Sequence, residues 1–409
     1  MSNIRAVVDW LADGARSATM AEDVLAELCH RMVGCDLPLW RVAVFVTTLH
    51  PDIAGRRFVW RPESGVSTSE ALFDLFETDE FRGSPIAAIY DTREPLRRCL
   101  ADDDCPDDFP FLRDLHAEGV TDYVGFPLQF TDGTLHVATW TTRQPGGFTL
   151  QQLSDIEAII APLTRVAEVR ALRRTATNLL NTYVGRQGGE RILAGKIRRG
   201  YVEDIRAAIW LSDMRGFTAL SEQLPSQDLV DLLNRYFDCQ VPTILKNGGE
   251  VLKFIGDGLL AIFPLSADGN DASEICRRAL TAAREVRILV KALDTPLRIA
   301  NAVRFGLALH VGQVKYGNIG GGDRLDFTCI GPAVNLTARL EKVAAKLGRT
   351  VVASADFVAH CPDEFVPLGE FSVAGFAAPQ LVFGLNEQLG IKNENQNTAT
   401  ESQIQGLAK

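Results

Sequence analysis

Asp213 and Asp257 each stand at or near the end of a short apolar run. Ahead of the first, residues 207–211 (Ala-Ala-Ile-Trp-Leu) have strand length, and Gly216 after it suits a strand that turns into a helix. The second lies between Glu250–Ile255 and residues 258–263, which read as a hairpin closed by Gly256-Asp257. Glycine at the first central position suits a two-residue type II′ turn. A carboxylate between buried strands is costly unless it is exposed or holds a cation. Two of them on neighbouring strands could share a pair of Mg²⁺ ions, because hard divalent cations at phosphate sites use one or two carboxylates plus phosphate oxygens. Two metals roughly 3.5–4 Å apart serve both sides of an in-line phosphoryl displacement. Taken alone, Asp257 reads first as an ordinary turn residue.

A second candidate pair lies further along. Asn335 and Arg339 are four apart on an expected helix over 331–347, so they project from one face. An arginine fork matches phosphate oxygens better than a lysine point charge does. By themselves they read as a helix-surface amide and an arginine paired with nearby Glu341. Periodicity supplies the elements around them. One helix after Asp213 buries Leu229, Leu233, Tyr236, Phe237, Gln240 or Val241, and Ile244, with Pro242 bending its end. A second amphipathic helix covers 272–293. A strand over 303–311 precedes a hairpin of 314–322 with 324–330. A short strand, a short helix and two final strands follow the 331–347 helix. Sheet packed against helices makes this an α+β fold.

Three motifs occur in order: Asp213-x-x-Gly-Phe-Thr, then Lys253-x-x-Gly-Asp257, then Gly331-Pro-Ala-Val-Asn335-Leu-Thr-Ala-Arg339-Leu-Glu. Over about 203–389 they resemble the class III nucleotidyl cyclase catalytic domain, an antiparallel-rich sheet with helices around a ferredoxin-like core. The resemblance implies that the ribose 3′-oxygen of a nucleoside triphosphate attacks the α-phosphorus, giving a 3′,5′-cyclic monophosphate and pyrophosphate. It implies Asp213 and Asp257 as ligands of two Mg²⁺ or Mn²⁺ ions per site, with the backbone carbonyl of Met214 as an extra ligand. It implies that Asn335 orients the ribose and that Arg339 meets charge developing on the α-phosphate. A lysine at the position of Lys253 accompanies adenine in this family, since it donates to adenine N1, where guanine presents donors of its own. At the partner position most adenylate-specific members have aspartate, and this chain has Thr328. The Lys/Thr pair resembles the class IIIb subgroup, and a threonine hydroxyl can accept from the adenine N6 amine, so ATP is the expected substrate. In the family the two aspartates come from one subunit and Lys253, Thr328, Asn335 and Arg339 from the other, which implies a head-to-tail homodimer. The chain departs from the family at Ser372-Val-Ala-Gly375, which offers no basic residue for the triphosphate; Arg324 and Lys342 are the candidates to replace it. Two other readings stay open: a catalytically idle nucleotide-binding regulator, and a guanylate cyclase, which Lys253 opposes.

The 409 residues are enough for two or three domains, and 46% hydrophobic with 23% charged residues is ordinary for a soluble protein. With a formal net charge of −10 and no lysine or arginine block, a nucleic-acid partner is not expected. No uncharged apolar run approaches the roughly 18 residues of a membrane span. The N-terminus lacks a signal-peptide pattern, so a cytoplasmic location is expected. The eight cysteines read as mostly small buried apolar residues. Cys29/Cys35 and Cys99/Cys105 share one gap, but it is not a usual metal-ligand spacing.

Residues 1–148 read as helix, strands over 41–49 and 57–61, a variable middle with an acidic loop at 102–108, a helix and a hairpin around Thr131-Asp132-Gly133. A closing helix begins at 149. This order resembles a GAF-like α/β sensory domain, with a PAS-like domain as the alternative; no motif carries the resemblance. Such domains often hold a small molecule, so an unidentified effector is expected. His50, His116 and His136 read as ordinary imidazoles before haem or metal ligands. Across a helical linker over 149–202, apolar residues recur at Ile156, Ile159, Leu163, Val166, Val169, Leu172, Ala176, Leu179 and Tyr183. The stripe fits a parallel dimer stalk, which is the expectation, or a helix packed on its own domain. The glycines of 183–200 suit a hinge. Residues 390–409 are expected to be disordered.

Overall fold

Both sheets of the computed structural model, which describes residues 4–51, 53–102, 104–293, 303–322 and 324–386, have central strands buried along most of their length, such as 135–142 and 258–263. The tail expected to be disordered lies outside these residues. The chain divides into two units between Leu179 and Leu180. No described helix is long and apolar enough to cross a membrane.

The first unit opens with helices α1 (Ile4–Ala12) and α2 (Ala21–Val33). Strands β1 (Arg41–Thr47), β2 (Gly55–Arg61) and β3 (Gly65–Ala71) follow, then short helices α3 (Asp79–Arg82) and α4 (Pro85–Thr92). After β4 (Leu96–Cys99) and α5 (Pro110–Ala117) come the hairpin β5 (Asp122–Gln129) and β6 (Leu135–Thr142), and the long helix α6 (Leu150–Val184). The six strands form one antiparallel sheet in the order β3-β2-β1-β6-β5-β4. The middle that looked merely variable thus holds β3, α3, α4 and β4. The residues of β3, Gly-Val-Ser-Thr-Ser-Glu-Ala, are largely exposed at the sheet edge and show no apolar alternation. Asp107 and Asp108 of the acidic loop pair with Arg113 and Arg98. Buried His136 accepts from the Thr47 N–H at 3.2 Å, and burial lowers its pKa to about 4, so it is a neutral structural imidazole.

The stripe on α6 has two fates. Ile156, Ile159, Leu163 and Val166 are buried in the core with Trp60, Trp140, Leu28 and Met32. Val169 and Leu172, by contrast, are 66% and 69% exposed. As far as Val166 the apolar repeat is therefore the buried face of a helix packed on its own sheet, not a stalk seam. Where the helix begins, buried Asp122 accepts from Arg97 Nη2 at 2.7 Å and from the Phe148 N–H at 2.9 Å, tying β4, β5 and the start of α6 together.

The second unit contains α7 (Arg186–Leu193), β7 (Val202–Met214), α8 (Phe217–Gln223), α9 (Ser226–Lys246), the hairpin β8 (Glu250–Ile255) and β9 (Gly258–Pro264), and α10 (Ala272–Lys291). Then come β10 (Phe305–Gly321), β11 (Arg324–Ile330), α11 (Pro332–Leu347), β12 (Val351–Ser354), α12 (Ala355–Val358), β13 (Phe365–Phe371) and β14 (Gln380–Leu385). The sheet order is β13-β14-β12-β10-β7-β9-β8, with β11 paired to β10; among the described residues only β10 and β12 run parallel. Alternate residues of β7 face opposite ways. Ala208, Trp210 and Met214 enter the core beneath α9 and α10, while Ala207 and Ile209 pack with Ala333 at the start of α11.

Three local expectations change. The single helix after Asp213 is two, because Leu224 stands before Pro225 and is held extended. The strands at 303–311 and 314–322 are one strand, β10; Gly312 does not break it but lets α11 approach, since a Cβ there would lie 2.5 Å from the Ala333 Cβ. In the expected hinge, Gly188 and Gly189 are buried, and a Cβ on Gly188 would sit 2.9 Å from the Phe327 ring. These two glycines serve close packing of α7.

Candidate active site

Strand register brings Asp213 and Asp257 together. Asp213 sits opposite Gly306 on β10, and its neighbour Ser212 sits opposite Leu259 on β9. Ile255 pairs with Gly258, leaving Gly256 and Asp257 as the turn. Gly256 has φ +62°, while Asp257 is not among the residues with positive φ, which makes the turn type II′. A Cβ on Gly258 would meet the Ser212 carbonyl oxygen at 2.9 Å and Asp213 Oδ1 at 3.1 Å. Glycine is what allows the hairpin tip to close onto the end of β7. There the carboxyl groups of Asp213 and Asp257 come close enough that each acts on the other's charge.

Burial raises the Asp213 carboxyl to about 6, and the negative charges of Asp257 and Glu341 push the same way. Arg215 opposes them, but it is already engaged: its Nη1 lies 2.6 Å from Glu341 Oε1, whose side chain is only 7% exposed. The pair rests on Gly306, where a Cβ would lie 1.6 Å from Arg215 Nη2. Negative charge in excess of its protein partners is what a divalent cation would neutralise. The Met214 side chain is buried in the core. Because the Arg215 N–H donates to the Arg304 carbonyl, Met214 and Phe305 form a non-hydrogen-bonded pair. The Met214 carbonyl therefore turns away from β10, toward the side of β9 and Asp257. Among the described residues no three His, Cys, Asp or Glu side chains converge as a metal site, so further ligands would have to come from substrate or water.

Lys253 and Thr328 form a second group. Lys253 Nζ lies 3.4 Å from Asp326 Oδ2, and Asp326 projects from the same face of β11 as Thr328. Thr328 is 3% exposed, and its Oγ1 is buried without a hydrogen-bond partner among the described residues. An orphaned buried hydroxyl is costly unless something arrives to bond it. On α11 Asn335 is exposed and Arg339 half-buried. Arg339 does not pair with Glu341: two positions apart on a helix puts them about 200° around the axis from each other, and Glu341 belongs to Arg215. Among the described residues Arg339 has no ion pair. Arg324 and Lys342 are both exposed. No hydrogen bond or ion pair among the described residues joins the carboxylate pair to Lys253, Thr328, Asn335 or Arg339.

Arg215, Gly306, Glu341 and Asp326 escaped the sequence reading. Arg215 stands at an unspecified position of the first motif, and Glu341 is weighed only as a neighbour of Arg339, a pairing set aside once the three motifs are taken together. The partner lies 126 residues back, and no periodicity reports such a pairing.

Residues 203–386 match the family described as the adenylate and guanylate cyclase catalytic domain. Adenylate cyclase 1 of Rhizobium meliloti (strain 1021) is 31% identical over 167 residues, 40% of this chain and 25% of that protein. The adenylate cyclase of Anabaena cylindrica is 28% identical over 202 residues, 48% of this chain and 38% of that one. The solved structure of the adenylyl cyclase CyaB from P. aeruginosa is similar at 26% identity and a TM-score of 0.38, covering 46% of this chain and 96% of that chain. The chain thus spans well under half the length of these two curated relatives.

Proposed function

With residues 203–386 being a class III nucleotidyl cyclase catalytic domain, we propose that this protein converts ATP to 3′,5′-cyclic AMP and pyrophosphate in the cytoplasm. The meeting of Asp213 and Asp257 at the end of β7 carries this reading. Asp213, Asp257 and the Met214 carbonyl would hold two Mg²⁺ or Mn²⁺ ions. When bound, such ions lower the pKa of the ribose 3′-hydroxyl and neutralise the phosphates.

The remaining steps belong to side chains. Arg339, free of any ion pair among the described residues, would place its fork on the α-phosphate as charge builds there. Asn335 would orient the ribose so that the 3′-oxygen lies in line with the bond to pyrophosphate. That O–P bond forms as the bond to the leaving pyrophosphate breaks, and the hydroxyl proton passes to solvent. Lys253 would donate to adenine N1, and the orphaned Thr328 hydroxyl would accept from the N6 amine.

A second copy would complete each site. Asp213 is surrounded by Asp257, Glu341 and an Arg215 that is already paired, so its own chain offers no free cation there for a triphosphate. Arg339 and Lys253 of a partner subunit would supply it. The first unit, read as a GAF-like sensory domain, would regulate turnover through a small-molecule effector. Assay of the full chain with ATP and GTP side by side, in Mg²⁺ and in Mn²⁺, tests the reading; cyclic AMP should dominate, and no product from either would leave an idle nucleotide-binding regulator. Mixing Asp213→Ala with Arg339→Ala chains should restore activity at one site per dimer, and absence of rescue would rule out shared sites.

A further inference from the structure

The first unit contains a cavity of about 420 Å³ between α2, β1, β2 and one face of α6. That is within the usual range for small-molecule sites, about 300–1,000 Å³. Leu25, Val44, Val46, Phe58, Leu163 and Val166 give it an apolar floor. The hollow exists because α6 presents Ala167 and Ala171 here, one turn apart, where larger side chains would fill the space.

The mouth is basic. Arg56 is taken by Glu70 at 2.7 Å, and Arg170 donates to the Ala18 and Thr19 carbonyls. Arg173 and Arg174 also line the cavity, are exposed, and have no ion pair among the described residues. Inside, the Thr48 hydroxyl is buried without a hydrogen-bond partner among the described residues. An apolar floor beneath two uncommitted guanidinium groups and an orphaned hydroxyl matches one ligand chemistry. We propose that this cavity binds an amphiphilic carboxylate, its apolar body on the floor and its head group between Arg173 and Arg174. A guanidinium fork and a carboxylate pair in parallel hydrogen bonds. A neutral apolar occupant would leave the basic mouth unanswered.

This deepens the proposed regulation by naming the ligand class, and it rests on that reading only for any effect on turnover, because binding is read directly. The test is isothermal titration of the full chain with decanoate and, separately, with decanol, below the concentrations at which either aggregates. One decanoate per chain is expected, with decanol at least tenfold weaker. Arg173→Ala with Arg174→Ala should weaken decanoate at least tenfold, and Ala171→Trp should abolish binding by filling the hollow. The arginines are exposed, so their variants keep the fold and decide the matter even if Ala171→Trp does not. Equal affinity for decanoate and decanol, non-saturating uptake, or unchanged decanoate affinity in the double variant would each overturn the proposal. ATP turnover is measured on the same preparations. Decanoate binding without turnover would sink the cyclase reading alone, and turnover without decanoate binding would sink this site alone.

Discussion

Asp122 in the first unit and Asp213 in the second are both carboxylates on strands, and their surroundings are opposite. Asp122 is fully buried, yet an arginine fork and a backbone N–H answer its charge. Asp213 is half-buried and meets a second carboxylate, with a third close by and the nearest arginine already taken. The structural acid comes with its cation; the candidate catalytic acid comes with more acid. Such a mismatch is what a cation from outside the chain would relieve, and it marks a candidate site better than burial does.

The contrast can be broken most directly by removing each carboxylate. Asp213→Ala should lower cyclic AMP formation by about 10³-fold or more, as loss of several kcal/mol of charge stabilisation implies, with the unfolding curve little changed. Asp122→Ala should do the reverse. Loss of the bonds from Arg97 and the Phe148 N–H should cost about 1–3 kcal/mol in denaturant unfolding, since the partly exposed Arg97 regains water, while turnover per folded molecule stays near normal. If Asp122→Ala abolished turnover in folded protein, the contrast would fail.

Gly306→Ala comes next. The new methyl collides with Arg215, so we expect a loss of about 1–3 kcal/mol in stability from overpacking, accompanied by weaker Mn²⁺ binding as Arg215 and Glu341 shift beside Asp213. Lys253→Glu should lower the ATP-to-GTP ratio of kcat/KM by about tenfold, the size expected for one reversed hydrogen-bonding group.

The smallest effect is a pH dependence. The folded carboxyl of Asp213 titrates at about 6, above its ordinary value. The folded state therefore holds that proton more tightly than the unfolded state does. The contribution of Asp213 to stability should be greatest below about pH 4, fall as pH rises to about 6 and level off above it. Water reaches the pair, so the change is about 1 kcal/mol. Asp213→Asn should remove it, and Mg²⁺ should raise the melting temperature of the parent at pH 8 but not at pH 4.5. A melting temperature insensitive to Mg²⁺ at pH 8 would argue against cation binding by the pair.

Local chemistry was readable where it sat within one stretch of chain. The apolar run into Asp213, the Gly256-Asp257 turn and the spacing of Asn335 and Arg339 each announce themselves within a dozen residues. Long-range fits were not readable. Gly306 looks like any strand glycine until Arg215 is seen lying on it. Glu341 has Arg339 near it in sequence on its own helix, yet its partner is Arg215, just past the end of β7. On α6 the repeat is continuous in sequence, but its burial ends at Val166, because where the sheet stops is a tertiary fact. The edge strand β3 carries too few apolar residues to signal itself.

The turn that carries Asp257 is only two residues long. A connection so short has no slack, so the acid at its tip cannot swing as a loop would; it moves only if β8 and β9 move as a block. Adjusting the gap between the two carboxyl groups would require sliding or twisting a whole hairpin against β7. Lengthening the tip by a single amino acid should cut that mechanical tie and leave the acid adrift.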